Sequence, residues 1–237
     1  MKKKLGAIAS IALAALALVG CGDDGGTSAP SGENADGSSH GTMTDDRDGR
    51  TYRTVVIGAQ TWMAENLDYE YEANDSTYGN WCYGDSAGGC AKYGRLYAWA
   101  AAMDSATTGC GDGETCAASS GKVRGICPDG WHLPSRAEWD ILLAAVGGSS
   151  VAGTALKASS GWTGDDGSDD YGFSALPSGD RTDDGEMSTA GRAAYFWSSS
   201  ESAAYRAHSV LLSKGDERAR FLPGSKGSGF AVRCVKD

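Results

Sequence analysis

The chain has 237 residues, with 31 Asp or Glu against 21 Lys or Arg, a formal charge of −10 that falls to about −13 once Lys2, Lys3 and Lys4 are removed. A surface this acidic repels phosphate backbones, which excludes nucleic acid as a partner. With 41% hydrophobic and 22% charged residues, 35 glycines against five prolines, and seven tryptophans beside ten tyrosines, the composition predicts a folded domain. Its strands should be short, its turns many, and its core filled by bulky aromatic anchors.

The three lysines open onto an apolar run from Leu5 to Leu18, ending in Leu18-Val19-Gly20-Cys21. A basic start, a short apolar stretch and a small-residue exit form a secretory signal peptide over 1–20. The last four residues match the bacterial lipobox, whose cysteine is acylated, palmitate being a common chain. The competing interpretation, an uncleaved transmembrane anchor, needs about 20 apolar residues and the run is shorter. Acyl chains at about 0.8 kcal/mol per buried methylene make Cys21 a stable membrane anchor. The expected location is the cell envelope. Gly22, rather than Asp, after Cys21 favours the outer membrane, facing the exterior or the periplasm. Residues 21–44 are Gly, Ser, Asp and Thr without apolar periodicity, a disordered tether with a reach of roughly 25–30 Å. The globular domain is then 45–237.

Within it, Thr51 to Ile57 alternates like a strand, Gly58-Ala59 suits a two-residue hairpin turn, and Gln60 to Met63 returns. Arg95 to Met103 has helical spacing. Ser135 and Glu138 form an S-x-x-E capping box, and Trp139, Leu142, Leu143 and Val146 make one apolar helix face closed by Gly147-Gly148. Short strand-like runs follow at 172–176, 195–199, 206–212, 218–222 and 230–235. Strand, two helices, then short antiparallel strands is an α+β pattern.

Seven cysteines become six once Cys21 carries lipid. In an oxidising compartment pairing is the default. Spacing joins Cys82 to Cys90 and Cys110 to Cys116 across tight Gly-rich loops, leaving Cys127 for Cys234. A zinc site using Cys127 and His132 is the rival, but intervals of seven and five residues do not suit zinc ligation.

Several ordered blocks carry a resemblance. Asp48-Gly49-Arg50-Thr51-Tyr52, Ile57 to Leu67, Gly94 to Tyr97, Cys127 to Pro134, Gly172 to Pro177, Phe196 to Ser199 and Gly229 to Val235 together resemble the Fibrobacter succinogenes major paralogous domain from about residue 45 onward. That family is met largely on bacterial secreted proteins and lipoproteins. Trp131 to Trp139 is also similar to the W-R-L-P-T-E-A-E-W-E stretch of sulfatase-modifying, formylglycine-generating domains, and Gly229 to Arg233 to their G-F-R. That second likeness implies a C-type-lectin-like fold. It does not imply their activity, because the copper-binding cysteine pair is reduced here to Cys234, already assigned to a disulfide.

His40, His132 and His208 sit in no catalytic frame, and His132 is assigned a structural hydrogen-bonding role. The expectation is therefore a non-enzymatic module without catalytic residues, cofactor or metal. Asp165 to Asp170 and Asp180 to Glu186 lack EF-hand spacing and read as solvated acidic loops before they read as calcium sites. Trp62, Trp99, Trp131, Trp139 and Trp197 are assigned to the core, with Trp81 open. In a C-type-lectin-like fold, Trp162, Tyr171, Asp165 and Asp183 fall in the ligand-recognising loops and are the candidate binding residues. The ligand expected is a polysaccharide or a surface protein. A structural envelope lipoprotein without a ligand is the alternative, and an enzyme ranks third.

Overall fold

The computed structural model describes residues 39–72, 79–164 and 167–237. The signal peptide, Cys21, the tether up to residue 38 and Asp165 lie outside the described residues. The elements in chain order are β1 (His40–Asp45), β2 (Arg50–Ile57), β3 (Gln60–Met63), β4 (Asn80–Cys82), α1 (Ala87–Tyr93), β5 (Arg95–Tyr97), α2 (Trp99–Ala102) and α3 (Ser105–Thr108). After these come β6 (Trp131–His132), α4 (Arg136–Ala145), α5 (Ala152–Leu156), β7 (Asp180–Arg181), β8 (Met187–Ser188), β9 (Ala193–Ala203), β10 (Arg206–Ser213), β11 (Ala219–Ser225) and β12 (Val235–Lys236).

The class is α+β, with five α-helices among the described residues where the sequence suggested two. Strands from both ends of the domain share one antiparallel sheet, ordered β1-β2-β3-β12-β6. A second sheet runs β11-β10-β9, and two hairpins, β4-β5 and β7-β8, flank them. The β2–β3 turn falls at Gly58-Ala59, where Gly58 has φ +60°, a conformation that side chains other than glycine resist.

Three expectations need correction. Residues 40–44, assigned to the tether, form β1 and pair with β2 from His40 opposite Val55 to Asp45 opposite Arg50. Arg95 to Met103 is not one helix: Arg95, Leu96 and Tyr97 pair with Cys82, Trp81 and Asn80 as β5 against β4, and Tyr97 also exchanges backbone hydrogen bonds with Phe230, so the helix begins only at Trp99. Helical spacing there loses to a tertiary strand contact. The run at 172–176 is not a strand either, though Ala175 bridges Lys157 in parallel.

The capping box is present: Ser135 Oγ accepts the Glu138 N–H while the Glu138 carboxylate accepts the Ser135 N–H. It aims α4 so that Trp139, Leu142 and Leu143 face inward. The disulfides join Cys82 to Cys90, Cys110 to Cys116 and Cys127 to Cys234, as spacing predicted. The last closes a separation of 107 residues, worth about 4–5 kcal/mol in the chain-entropy account.

Two hydrophobic cores result. One gathers Tyr97, Trp99, Met103, Trp131, Trp197 and Phe230 around two of the disulfides. The other gathers Trp62, Trp139, Phe173, Phe196 and the α4 leucines. In it Trp62 and Trp139 lie 4.7 Å apart and Phe173 meets both edge-on. Strand β9 divides the two, sending Tyr195 and Trp197 to the first and Ala194 and Phe196 to the second, as the two-residue period of a strand requires.

Candidate functional site

A polar cleft of about 170 Å³ opens between β2, the chain following β3, and the end of α1. Gly94 makes this meeting possible. It ends α1 at φ +72°, and a Cβ there would lie 2.8 Å from Asn66 Cβ and 2.9 Å from the Asn66 and Leu67 carbonyl oxygens. Asn66 in turn donates to the Tyr93 carbonyl at 2.8 Å, tying the two walls together. The cleft shares Arg50, Asp68, Cys90 and Ala91 with a neighbouring hollow of about 370 Å³ that reaches Arg95.

Four cations line the cleft, Arg50, Arg53, Lys92 and Arg233, against two acids, Glu65 and Asp68. Asp68 is buried and lies between Arg50 and Arg95. Burial still outweighs both cations and holds its pKa above the ordinary carboxylate value. Tyr52 accepts the Asp68 N–H on its hydroxyl, and burial pushes that phenol well up. Arg53 and Lys92 are exposed on the rim; Glu65 pairs loosely with Arg53 and accepts its backbone N–H at 2.6 Å.

Arg233 forms the floor and is only 1% exposed. Its Nε donates to Asn66 Oδ1 at 2.6 Å, Nη1 to the carbonyls of Met63 and Phe173 at 3.1 and 2.6 Å, and Nη2 to Ser174 O at 3.0 Å. The guanidinium also lies 4.6 Å from the Phe173 ring centroid, a cation–π contact. Burial lowers its pKa to about 9, so it remains charged at neutral pH.

Of the residues nominated from sequence, Trp162, Tyr171 and Asp183 are not part of this cleft. Trp162 is 5% exposed, its indole N–H donates to Ala175 O at 3.0 Å, and its ring packs in the second core. As an exposed stacking platform it is corrected to a core residue, carried inward by the Lys157–Ala175 bridge. Tyr171 is half-buried at a shallow depression shared with Val146, Val151, Asp170 and Glu217. Asp183 is exposed in the turn joining β7 to β8. Asp169, from the acidic run, is spent locally: its carboxylate accepts the Ser174 N–H and hydroxyl, both at 2.7 Å. Among the described residues no three His, Cys, Asp or Glu side chains form a metal-binding group.

His132 is buried between two carboxylates, with Nε2 2.7 Å from Glu138 and Nδ1 2.7 Å from Asp237. This joins the β6 end of the first sheet to the α4 cap, the structural role assigned to it. Trp81, left open by its sequence, is half-buried and carries the Arg181 guanidinium 4.0 Å above its ring. What sequence reasoning missed is the cleft itself, built from 50–53, 64–68, 90–94, 174 and 233. Arg50 and Arg233 lie in the quoted blocks, but nothing local marks them as neighbours.

A disulfide-braced α+β domain with a preformed, cation-rich cleft is therefore the class of protein at hand. The family model of the Fibrobacter succinogenes major domain matches residues 55–236, and the chain belongs to that family. No curated protein and no solved structure gives a significant match. Among the described residues no helix is long and apolar enough to cross a membrane.

Proposed function

We propose that this protein is a lipid-anchored envelope protein, acylated at Cys21, whose domain is a non-enzymatic module that binds polysaccharide. The lipobox and signal-peptide pattern support the anchor, and six cysteines joined in three disulfides suit an oxidising compartment. The C-type-lectin-like resemblance supports recognition by loops on a rigid base, a base supplied here by the two sheets and the long disulfide.

One observation carries the binding reading. The cleft is preformed and polar: Arg50 is paired with Asp68 and Arg53 with Glu65, and Arg233 is held by the Asn66 amide and three backbone carbonyls. Groups fixed in this way orient a ligand; a proton-transferring site needs a nucleophile or base held free beside a reacting atom.

The test is a glycan array probed with the full-length, oxidised protein, followed by titration of the best ligand. Saturable binding in the micromolar to millimolar range is expected. Failure to bind any glycan, from protein whose disulfides are intact and whose melting transition is cooperative, refutes the polysaccharide reading.

A further inference from the structure

The floor of the cleft is electrostatically incomplete. A buried charge ordinarily lies against an opposite charge, yet among the described residues no carboxylate comes within ion-pairing distance of Arg233. Its contacts are one amide oxygen and three carbonyls. Those contacts use four of the five N–H groups a guanidinium carries. The fifth, on Nη2, has no acceptor among the described residues, and Arg233 lines the cleft. The charges acting on it from farther away are Arg53, Asp169 and Glu65. Asp169 is occupied by Ser174, and Glu65 by the Arg53 backbone and side chain.

The rest of the lining points the same way. With Arg50, Arg53 and Lys92 around it, the cleft carries four cations against two acids, on a chain whose overall charge is −10. Positive charge concentrated in a concave site on an acidic surface attracts an anion. At about 170 Å³ the cleft is smaller than the ~300 Å³ at which drug-sized pockets begin, so it suits one ring or one charged substituent. Tyr93 and Thr51 add an aromatic ring and a hydroxyl to the walls. We propose that this cleft seats the anionic group of an acidic saccharide, its carboxylate or sulfate reaching the free N–H of Arg233 while Arg53 and Lys92 hold the rim. The proposal rests on the polysaccharide reading and narrows it to charged sugars.

The experiment is calorimetric titration of the full-length oxidised protein with trigalacturonate, with neutral galactotriose and with a sulfated galactotriose, at low and high salt. An acidic trimer should bind at least tenfold tighter than the neutral one, and the preference should shrink in high salt. Which acidic trimer binds tighter assigns carboxylate or sulfate. Arg233→Lys removes the planar donors but also the ties to Asn66, Met63, Phe173 and Ser174, so it can unfold the domain. The double variant Arg53→Gln/Lys92→Gln alters only exposed side chains and should keep the melting temperature while weakening acidic binding about tenfold. Equal affinity for acidic and neutral trimers overturns the inference and leaves the polysaccharide reading standing. No binding of any trimer or polysaccharide overturns both. An acid preference unchanged in the double variant, or an acidic peptide binding tighter than every saccharide, overturns this assignment of the site.

Discussion

His132 and Glu138 show what a single buried contact does to titration. Burial alone would raise the Glu138 pKa. Hydrogen bonds from His132 and from the Ser135 N–H and hydroxyl outweigh it and bring the value down to about 2, against an ordinary 4.5. A carboxyl whose pKa is depressed by folding stabilises the native state fully above its unfolded value. That contribution drains away as pH falls through the folded value. Discounted for a side chain that is 24% exposed, the contribution is about 1–2 kcal/mol. Glu138→Gln should therefore be less stable than the parent by that amount above pH ~5, and the gap should close toward pH 2. Denaturant unfolding at several pH values measures it; a gap that stays constant with pH shows that Glu138 acts through the cap geometry alone. The capping role was legible because Ser135 and Glu138 are three residues apart. The bonds from His132 to both Glu138 and Asp237 were not, since Asp237 is 105 positions away. Trp162 misled for a related reason. A tryptophan among glycines and aspartates looks exposed until a contact with Ala175, 13 positions away, turns it inward.

Helix α1 is short, and its end matters more than its length. Ser86 caps its start by accepting the Gly89 N–H, the Cys82–Cys90 disulfide pins its middle, and Gly94 at φ +72° turns the chain into β5. Gly94→Ala combines a left-handed backbone with a Cβ pressed against Asn66 and Leu67. Such strain costs about 2 kcal/mol, or about 4–8 °C in a domain of this size. The same change should push Asn66 out of the cleft wall and weaken ligand binding along with the melting temperature. A variant that melts like the parent shows that the wall relaxes without strain. Elements with local signals, the β2–β3 hairpin and α4, were legible in the sequence. The stretch from Arg95 was not, because the bonds that make it a strand come from β4 and from Phe230, both outside the local pattern.

Across the whole molecule, the two cores are held in one body by β9 between them and by buried cations that bridge segments. Lys226, wholly buried, donates to the carbonyls of Gly111 and Glu114 and pairs with Glu201 at 2.5 Å, fastening the Cys110–Cys116 loop beneath β9. Arg233 does the same between β3 and the 173–174 segment. The cleft exists only when 50–53, 64–68, 90–94, 174 and 233 have all been brought together, which is why composition and spacing could not locate it.

The Cys127–Cys234 bond also decides how the molecule withstands proteases. Tyr205, at the β9–β10 turn, is 66% exposed and is an open target for a protease that cuts at aromatic residues. A cut there leaves Cys127 in one fragment and Cys234 in the other, still covalently joined. Nicked protein should therefore migrate as one species on a non-reducing gel and separate into two only after reduction. With the last strand still tethered beside its sheet, a clipped copy keeps Arg233, and with it the floor of its cleft.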